Sequence, residues 1–292
     1  MKVLVTGASG FVGTAMVKEL LQAGHEVVAC SRKGEAPSGA KGRKLDVTSA
    51  TETARAITEE KPEAIIHLVG IIREKGAQTF QKVHVEGTRN VLEAAKQVGA
   101  RFVHMSALGA EKGHKSRYFD TKGQAEELVR NSGLTHAIFQ PSLIFGPGDD
   151  FFGNVLKDLV TLGPVVPVIG KGDFPFRPVW IGDVTAAFAQ ALLNPRTNNQ
   201  TFKLVGPKEY TFKELLDLEL NALQRRKPLF HVPLPLMDLA VPLMQILPNP
   251  PITRDQYLML KAGNTGDPAP TTKILNLRMD HLEHWLPRIL KA

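Results

Sequence analysis

The chain has 292 residues, 43% of them hydrophobic and 22% charged, and a formal net charge of +7. That balance excludes a chain disordered over a domain length and gives enough residues for one or two packed domains. The single cysteine, Cys30, excludes an internal disulfide and points to a reducing, cytoplasmic setting.

The opening run Val3-Leu4-Val5 is needed as a strand, so it is not expected to be a cleaved leader. Lys2 to Val5 is predicted as the first strand and Phe11 to Ala23 as a helix ended by Gly24. Glu26 to Ala29 and Lys44 to Val47 follow as the second and third strands. Thr51 to Glu60 is a helix opened by the capping pattern Ser49-x-x-Glu52. Ala64 to Leu68 is a fourth strand. Phe80 to Val98 is a long helix ended by Gly99. Arg101 to His104 is a fifth strand, Tyr118 to Asn131 a helix and His136 to Phe139 a sixth strand. This alternation is the βαβ signature of a parallel sheet, so the fold class is α/β with a Rossmann-type, doubly wound sheet.

After Gly146-Pro147-Gly148 prolines become frequent. Asp183 to Leu193 reads as a helix, Thr201 to Leu204 as a strand returning to the main sheet, and Thr211 to Gln224 as a helix with a Thr211-x-x-Glu214 capping box. The expected division is a nucleotide-binding domain over 1–150 with 178–205 returning to it. A smaller interleaved α+β domain then takes 151–177 and 206–292. Leu229 to Leu247 is the most apolar stretch. About 20 residues would reach across a bilayer, but Pro233, Pro235, Pro242 and Asp238 argue against a span. A buried helix, or a surface facing a protein partner or the edge of a membrane, is expected instead.

Thr6-Gly7-Ala8-Ser9-Gly10-Phe11-Val12-Gly13 follows the first strand and opens the first helix. Gly7 permits the tight turn, Gly10 lets backbone approach a pyrophosphate, and Gly13 lets helix and strand pack closely. The helix N-terminus then presents free N–H groups to an anion. Ser9, Phe11 and Val12 complete that loop. A dinucleotide site that binds NAD usually carries Asp or Glu at the end of the second strand, to hold the ribose hydroxyls. Here the sequence is Cys30-Ser31-Arg32-Lys33, which suits the 2′-phosphate of NADP(H). Asp46 and Val47 at the third strand, and Leu68, Val69 and Gly70 at the fourth, are placed to receive adenosine. His67 reads as a packed histidine. The basic residues are spread along the chain, and the densest cluster, Arg225-Arg226-Lys227, is short. A phosphate-bearing small ligand therefore fits the charge better than nucleic acid. No Cys/His spacing suits a metal, and no G-x-S-x-G elbow suits a serine hydrolase.

These motifs resemble the short-chain dehydrogenase/reductase superfamily in its extended and atypical forms. So do Val85-Glu86-Gly87-Thr88-Arg89-Asn90-Val91, Phe102-Val103-His104-Met105-Ser106, Tyr118-x-x-x-Lys122, Gln140-Pro141-Ser142-Leu143 and Val179-Trp180-Ile181-Gly182-Asp183-Val184. The run His67 to Glu74 with His104 to Gly109 looks most like the branch that includes the NADPH-binding accessory subunit of respiratory complex I. The resemblance implies that Tyr118 exchanges a proton with a carbonyl or hydroxyl while hydride moves to or from the nicotinamide. It implies that Lys122 favours the phenolate and holds the nicotinamide ribose, and that Ser106 and Pro141, Ser142 and Leu143 border the cofactor. The chain also departs from the pattern: Leu108 lies nearer the slot where active relatives carry Ser or Thr. His84 and Gln140 stand where relatives often carry Asn and Arg. Two kinds of function stay open. One is an NADP-dependent oxidoreductase or epimerase/dehydratase acting on a small-molecule carbonyl or alcohol. The other is a non-catalytic NADPH-binding scaffold, assembly factor or redox-sensing regulator.

Overall fold

A computed structural model describes residues 1–247 and 250–291. Strand and helix alternate from the start. β1 (Lys2–Thr6) leads to α1 (Phe11–Gln22), β2 (Glu26–Ser31), β3 (Lys41–Lys44), α2 (Ala50–Glu60) and β4 (Ala64–His67). A π-helical turn (Gln81–Glu86) runs into α3 (Gly87–Val98), followed by β5 (Arg101–Met105), α4 (Arg117–Arg130) and β6 (His136–Pro141). Next come β7 (Ile144–Phe145), a second π turn (Phe151–Leu156), α5 (Lys157–Thr161), β8 (Val166–Ile169), β9 (Pro175–Phe176) and β10 (Val179–Trp180). α6 (Ile181–Ala191) and β11 (Gln200–Leu204) precede β12 (Tyr210–Thr211), α7 (Phe212–Ala222), β13 (Leu229–Val232), α8 (Leu234–Met244) and α9 (Arg254–Ala262). α10 (Ala269–Leu275) and α11 (Leu282–Ile289) complete the described elements.

The chain divides into two compact units. The first takes Met1–Pro141, Ile181–Leu204 and Ala269–Leu277; the second takes Ser142–Trp180, Val205–Pro268 and the residues from Arg278 onward. The first boundary is thus at 141 rather than 150, because β6 runs on to Pro141. The segment 269–277 also belongs to the first unit, not to the smaller one. Thr271 Oγ1 donates to Lys203 O at 2.7 Å and Asn194 Nδ2 to Ile274 O at 3.5 Å, which ties α10 to β11 and to the end of α6.

The first unit is built on a seven-stranded sheet in the order β11-β6-β5-β4-β1-β2-β3, with every pairing parallel. β1 is an interior strand, and Val3, Leu4 and Val5 are fully buried, as a strand covered on both faces requires. The order reverses between β1 and β4, which makes the carboxyl ends of these strands the natural place for a ligand. β3 lies earlier than predicted. Lys41–Lys44 forms a polar edge strand whose Lys41 and Arg43 pair with Glu60 and Glu59 of α2. Leu45 and Val47 are buried just past the ladder, which accounts for the alternating pattern that suggested a strand there. The Ser49 capping box forms by half: Ser49 Oγ accepts from Glu52 N at 3.3 Å, while Glu52 Oε2 takes the N–H of Asp46 at 3.3 Å instead of that of Ser49. The Thr211–Glu214 box forms completely.

In the second unit three two-stranded ladders, β10-β7, β12-β9 and β13-β8, frame a core of Phe145, Phe152, Leu215, Leu216, Leu282 and Leu286. Phe145 and Phe176 are buried there, and Trp180 stacks on Trp285 at 3.9 Å between ring centroids. These aromatics serve as core rather than as walls of an open cavity. α7 carries a buried acid into this core. Glu219 is fully buried, and neither carboxyl oxygen has a hydrogen-bond partner among the described residues. Burial, helped by the charge of Asp149 and opposed by Lys157, pushes its carboxyl up to about 8.

An unfolded glutamate titrates near ~4.3. The folded state therefore holds this proton more tightly, and its stabilisation is complete at low pH and is lost as pH rises toward about 8. Thermal melts between pH 5 and pH 9 are expected to show the parent losing melting temperature more steeply than Glu219→Gln. Parallel profiles would mean that Glu219 ionises freely.

Candidate functional site

The turn after β1 is fixed by its glycines. Gly7 has φ +76, and a Cβ on it would lie 3.2 Å from the backbone of Leu68 and Val69. Gly10 donates its N–H to Gly7 O at 3.0 Å and caps α1 without a side chain. No acidic residue occupies the first turn of α1. The N–H groups of that turn thus face neither a capping side chain nor a carboxylate, which is the electrostatic condition for an anion site. A Cβ at Gly10 would meet only Gly7 O, at 3.3 Å, whereas one at Gly13 would lie 2.1 Å from Gly7 O. Gly13 is therefore a packing requirement, and Gly10 borders open space. Ser9 is exposed, Phe11 half-buried and Val12 buried against the unit.

β2 ends beside this loop, because β1 and β2 are paired from Lys2↔Glu26 to Thr6↔Cys30. Gly34 N–H donates to both Ser31 O (3.1 Å) and Ser31 Oγ (3.0 Å), which closes a tight turn. Gly34 has φ +78, and Gly42 must be glycine because its Cβ would lie 2.3 Å from Gly34 O. The turn leaves Arg32 and Lys33 exposed, and neither makes an ion pair among the described residues. Asp46 is half-buried, and its Oδ1 accepts from Thr48 N (3.0 Å) and Thr48 Oγ1 (2.8 Å). Val47 O is held by Asn90 Nδ2 at 2.9 Å. Leu68 donates its N–H to Thr6 O and is buried; Val69 is half-buried and Gly70 exposed.

The end of β5 meets α4. Lys122 is buried and donates from Nζ to Met105 O at 2.6 Å. Burial lowers its ammonium to about 8. Ser106, the next residue after Met105, is anchored by its N–H to Phe139 O at 2.7 Å, and its buried Oγ has no partner among the described residues. A Cβ on Gly70 would lie 3.7 Å from His84 Nε2 and 3.8 Å from Lys122 Nζ, so the end of β4 reaches the same place. Tyr118, one turn before Lys122, packs edge-on against Phe80, His84 and Phe119. Burial pushes its phenol up to about 12. This differs from the expected phenolate: in this structure burial sets the phenol, and the Lys122 ammonium is directed at a backbone carbonyl.

Several polar groups around Lys122 find partners that the sequence does not announce. His67 sits fully buried between Thr6 Oγ1 (2.7 Å) and Thr88 Oγ1 (3.1 Å) and stacks on His104. The π turn before α3 delivers His84, whose ring reaches Thr121 Oγ1 (2.9 Å) and the backbone of Ile71 (3.1 Å). Such turns recur at functional sites because the extra residue re-aims a side chain. Burial and the Lys122 charge hold all three imidazoles neutral, His67 at about 3, His84 at about 2 and His104 well below its usual range. The departure at Gln140 has a local partner: its Nε2 donates to Glu126 Oε1 at 2.8 Å, and Glu126 also pairs with Arg130. Leu108, in the slot where a hydroxyl residue was sought, is buried and donates its N–H to Pro141 O. Ser142 and Leu143 belong to the second unit. There Ser142 Oγ donates to Arg177 O, and Leu143 N–H donates to Asn264 Oδ1 at 2.8 Å.

Residues 3–204 match the model of the NAD dependent epimerase/dehydratase family. The chain belongs to that family. Among its relatives is the mitochondrial 40 kDa subunit of NADH-ubiquinone oxidoreductase from Neurospora crassa, 27% identical over 78% of this chain and 62% of that protein. Another is a ceramide reductase from Caulobacter vibrioides, 29% identical over 80% of this chain and 74% of its own length. The chain thus spans less than two thirds of the Neurospora protein. Among solved structures, UDP-glucose 4-epimerase from Thermotoga maritima aligns with a TM-score of 0.78, covering 100% of this chain and 98% of that one, at 18% identity. UDP-glucuronic acid 4-epimerase from Bacillus cereus aligns with a TM-score of 0.75, covering 100% of this chain and 99% of that one, also at 18% identity. These likenesses show the same fold. The predicted membership of the superfamily, and the likeness to the complex I subunit, are both borne out.

The two glycines separate packing from ligand binding. Gly13→Ala is expected to destabilise the chain by about 1–3 kcal/mol or more, as overpacking against backbone does. Gly10→Val is expected to keep a native circular dichroism spectrum and lose dinucleotide binding in calorimetric titration. A Gly10→Val variant that binds as tightly as the parent would put the phosphate contact elsewhere.

Proposed function

We propose that the chain binds NADP(H) and acts as a reductase on a small-molecule carbonyl. The observation that carries this reading is the convergence at the end of β5: Lys122 on Met105 O, the Ser106 hydroxyl, without a partner among the described residues, on the next residue, and the Tyr118 phenol, which burial pushes up to about 12, on the same helix as Lys122. The glycine turn with its uncapped helix fits a pyrophosphate, and Arg32 and Lys33, exposed and without ion-pair partners among the described residues, fit a 2′-phosphate. When bound, the dinucleotide supplies the hydride. Tyr118, whose phenol stays protonated at neutral pH, donates a proton to the carbonyl oxygen. Ser106 has a free O–H to donate to that same oxygen. Lys122 holds the nicotinamide ribose and keeps a positive charge near the phenol. A scaffold role is the second reading, favoured by the likeness to the Neurospora subunit and by Leu108 in place of a hydroxyl residue.

Tyr118→Phe is expected to cut carbonyl reduction by about 10²–10⁴-fold while leaving NADPH affinity nearly unchanged. NADPH absorbance with a panel of carbonyl substrates reads this. Equal turnover by both proteins would remove Tyr118 from the chemistry. A silent wild type with Lys122→Ala still weakening NADPH binding would favour the scaffold.

Arg32→Ala is expected to weaken NADPH and leave NADH affinity unchanged, by about 1.5–3 kcal/mol for a charge-assisted contact. Calorimetry with both cofactors decides it. NADPH affinity is also expected to decline as pH rises through about 8, where Lys122 loses its charge, and to lose that pH step in Lys122→Met.

A further inference from the structure

The second unit carries an apolar surface that its own core leaves unused. On α8 Leu236, Leu239 and Leu243 recur at i, i+3 and i+7, so all three project to one side, and Ile246 follows in the turn after the helix. Leu236, Leu239, Leu243 and Ile246 are 55, 67, 61 and 83% exposed. Val241 is the one residue of α8 that is buried, and no α8 side chain joins the core around Phe145 and Leu216. A polar clasp holds the helix instead. Asp238 Oδ1 accepts from Tyr257 OH at 2.8 Å and from Lys261 Nζ at 2.9 Å, and Gln245 Nε2 donates to Ile252 O at 3.2 Å. Phe230, on β13 just before α8, is 60% exposed. Single exposed apolar residues are ordinary, but a contiguous row of leucines marks a surface that something covers.

The charges in 225–262 are positive on balance. Arg225 and Arg226 are exposed immediately before β13, and Arg254 and Lys261 lie on α9 against α8. The acidic residues in 225–262 are Asp238, neutralised by Lys261, and Asp255. A second copy of this chain meeting the row face to face would bring the same cations toward each other. An anionic lipid surface offers both an apolar interior and the opposite charge. α8 has 11 residues, or roughly 16 Å of helix, against a hydrocarbon layer of about 30 Å. Such a helix lies in the interface rather than across it.

We propose that α8 binds in the headgroup region of an anionic bilayer, with Leu236, Leu239, Leu243 and Ile246 toward the acyl chains and Arg225 and Arg226 on lipid phosphates. This inference stands apart from the reductase reading. The test is co-sedimentation of the full chain with vesicles of phosphatidylcholine alone, and of equal parts phosphatidylcholine and phosphatidylglycerol. The parent is expected to pellet with the mixed vesicles and much less with the neutral ones. Leu239→Gln/Leu243→Gln is expected to stay in the supernatant with both, with an unchanged circular dichroism spectrum and melting temperature. Arg225→Gln/Arg226→Gln is expected to lose affinity for the mixed vesicles by about fivefold for each charge removed. The proposal fails if the parent stays in the supernatant with the mixed vesicles, or if the leucine variant pellets as the parent does. A parent dimer in sedimentation velocity that the leucine variant dissociates would overturn it in favour of a second copy.

Discussion

The contact between Gly13 and the carbonyl of Gly7 sets the geometry of the first unit. Where a Cβ would stand 2.1 Å from that oxygen, hydrogen alone fits, so α1 starts directly over the end of β1. Any residue with a side chain would push the helix off the strand and swing its first N–H groups away. Because β1 lies between β2 and β4, its two neighbours bring their ends to the same place: the Ser31–Gly34 turn from β2 and Leu68 to Gly70 from β4. A Cβ on Gly7 would likewise stand 3.2 Å from the backbone of Leu68 and Val69, just past β4. One missing methyl group thereby holds three loops in register.

The polar interior behind those loops is arranged around one cation. Lys122 is the charge, and His67, His84 and His104 lie near enough for it to help keep them neutral. Met105 O takes its proton donor. Glu126, one turn further along α4, has Arg130 and Gln140 as partners. An arginine at 140 would set a second guanidinium beside that carboxylate, whereas the amide adds a donor and no charge. The departure at Gln140 is therefore consistent with the local charge balance of α4 and β6.

The sheet and its glycine turn were legible because their physical demands show directly in residue type: a doubly covered central strand is a continuous apolar run, and a turn against backbone excludes side chains. β3 was misplaced because an edge strand held by Lys41, Arg43 and their glutamates has no apolar period, while Leu45 and Val47 mimic one beyond it. The π turn was invisible because it interrupts hydrogen bonding without breaking the helical spacing of Val83 and Val91. Tyr118, Lys122 and Ser106 were named through the family resemblance that their motifs carry. The lack of a partner for Ser106, the Thr6 and Thr88 pair on His67, and the Gln140–Glu126 bond depend on residues far apart in the chain. The return of α10 to the first unit was hidden for the same reason, since nothing in 269–277 announces which sheet it covers.

The interleaving of the units has a consequence for how the chain matures during synthesis. The polypeptide crosses between them at 141/142, 180/181, 204/205, 268/269 and 277/278. The seventh strand of the sheet, β11, ends at Leu204, and the core of the second unit draws on Leu282, Leu286 and Ile289 of α11. A ribosome adds roughly 5–20 residues per second, so the six-stranded sheet waits some seconds with the edge of β6 unpaired, and the second core waits longer for its closing helix. An open strand edge and an unfinished apolar core are the surfaces that holdase chaperones capture, and this topology exposes both in succession. A cut at 141/142 would leave the first unit short of a segment, one at 277/278 the second, and one at any of the three inner crossings both, so no single cut separates two whole units for a simple end-to-end fusion.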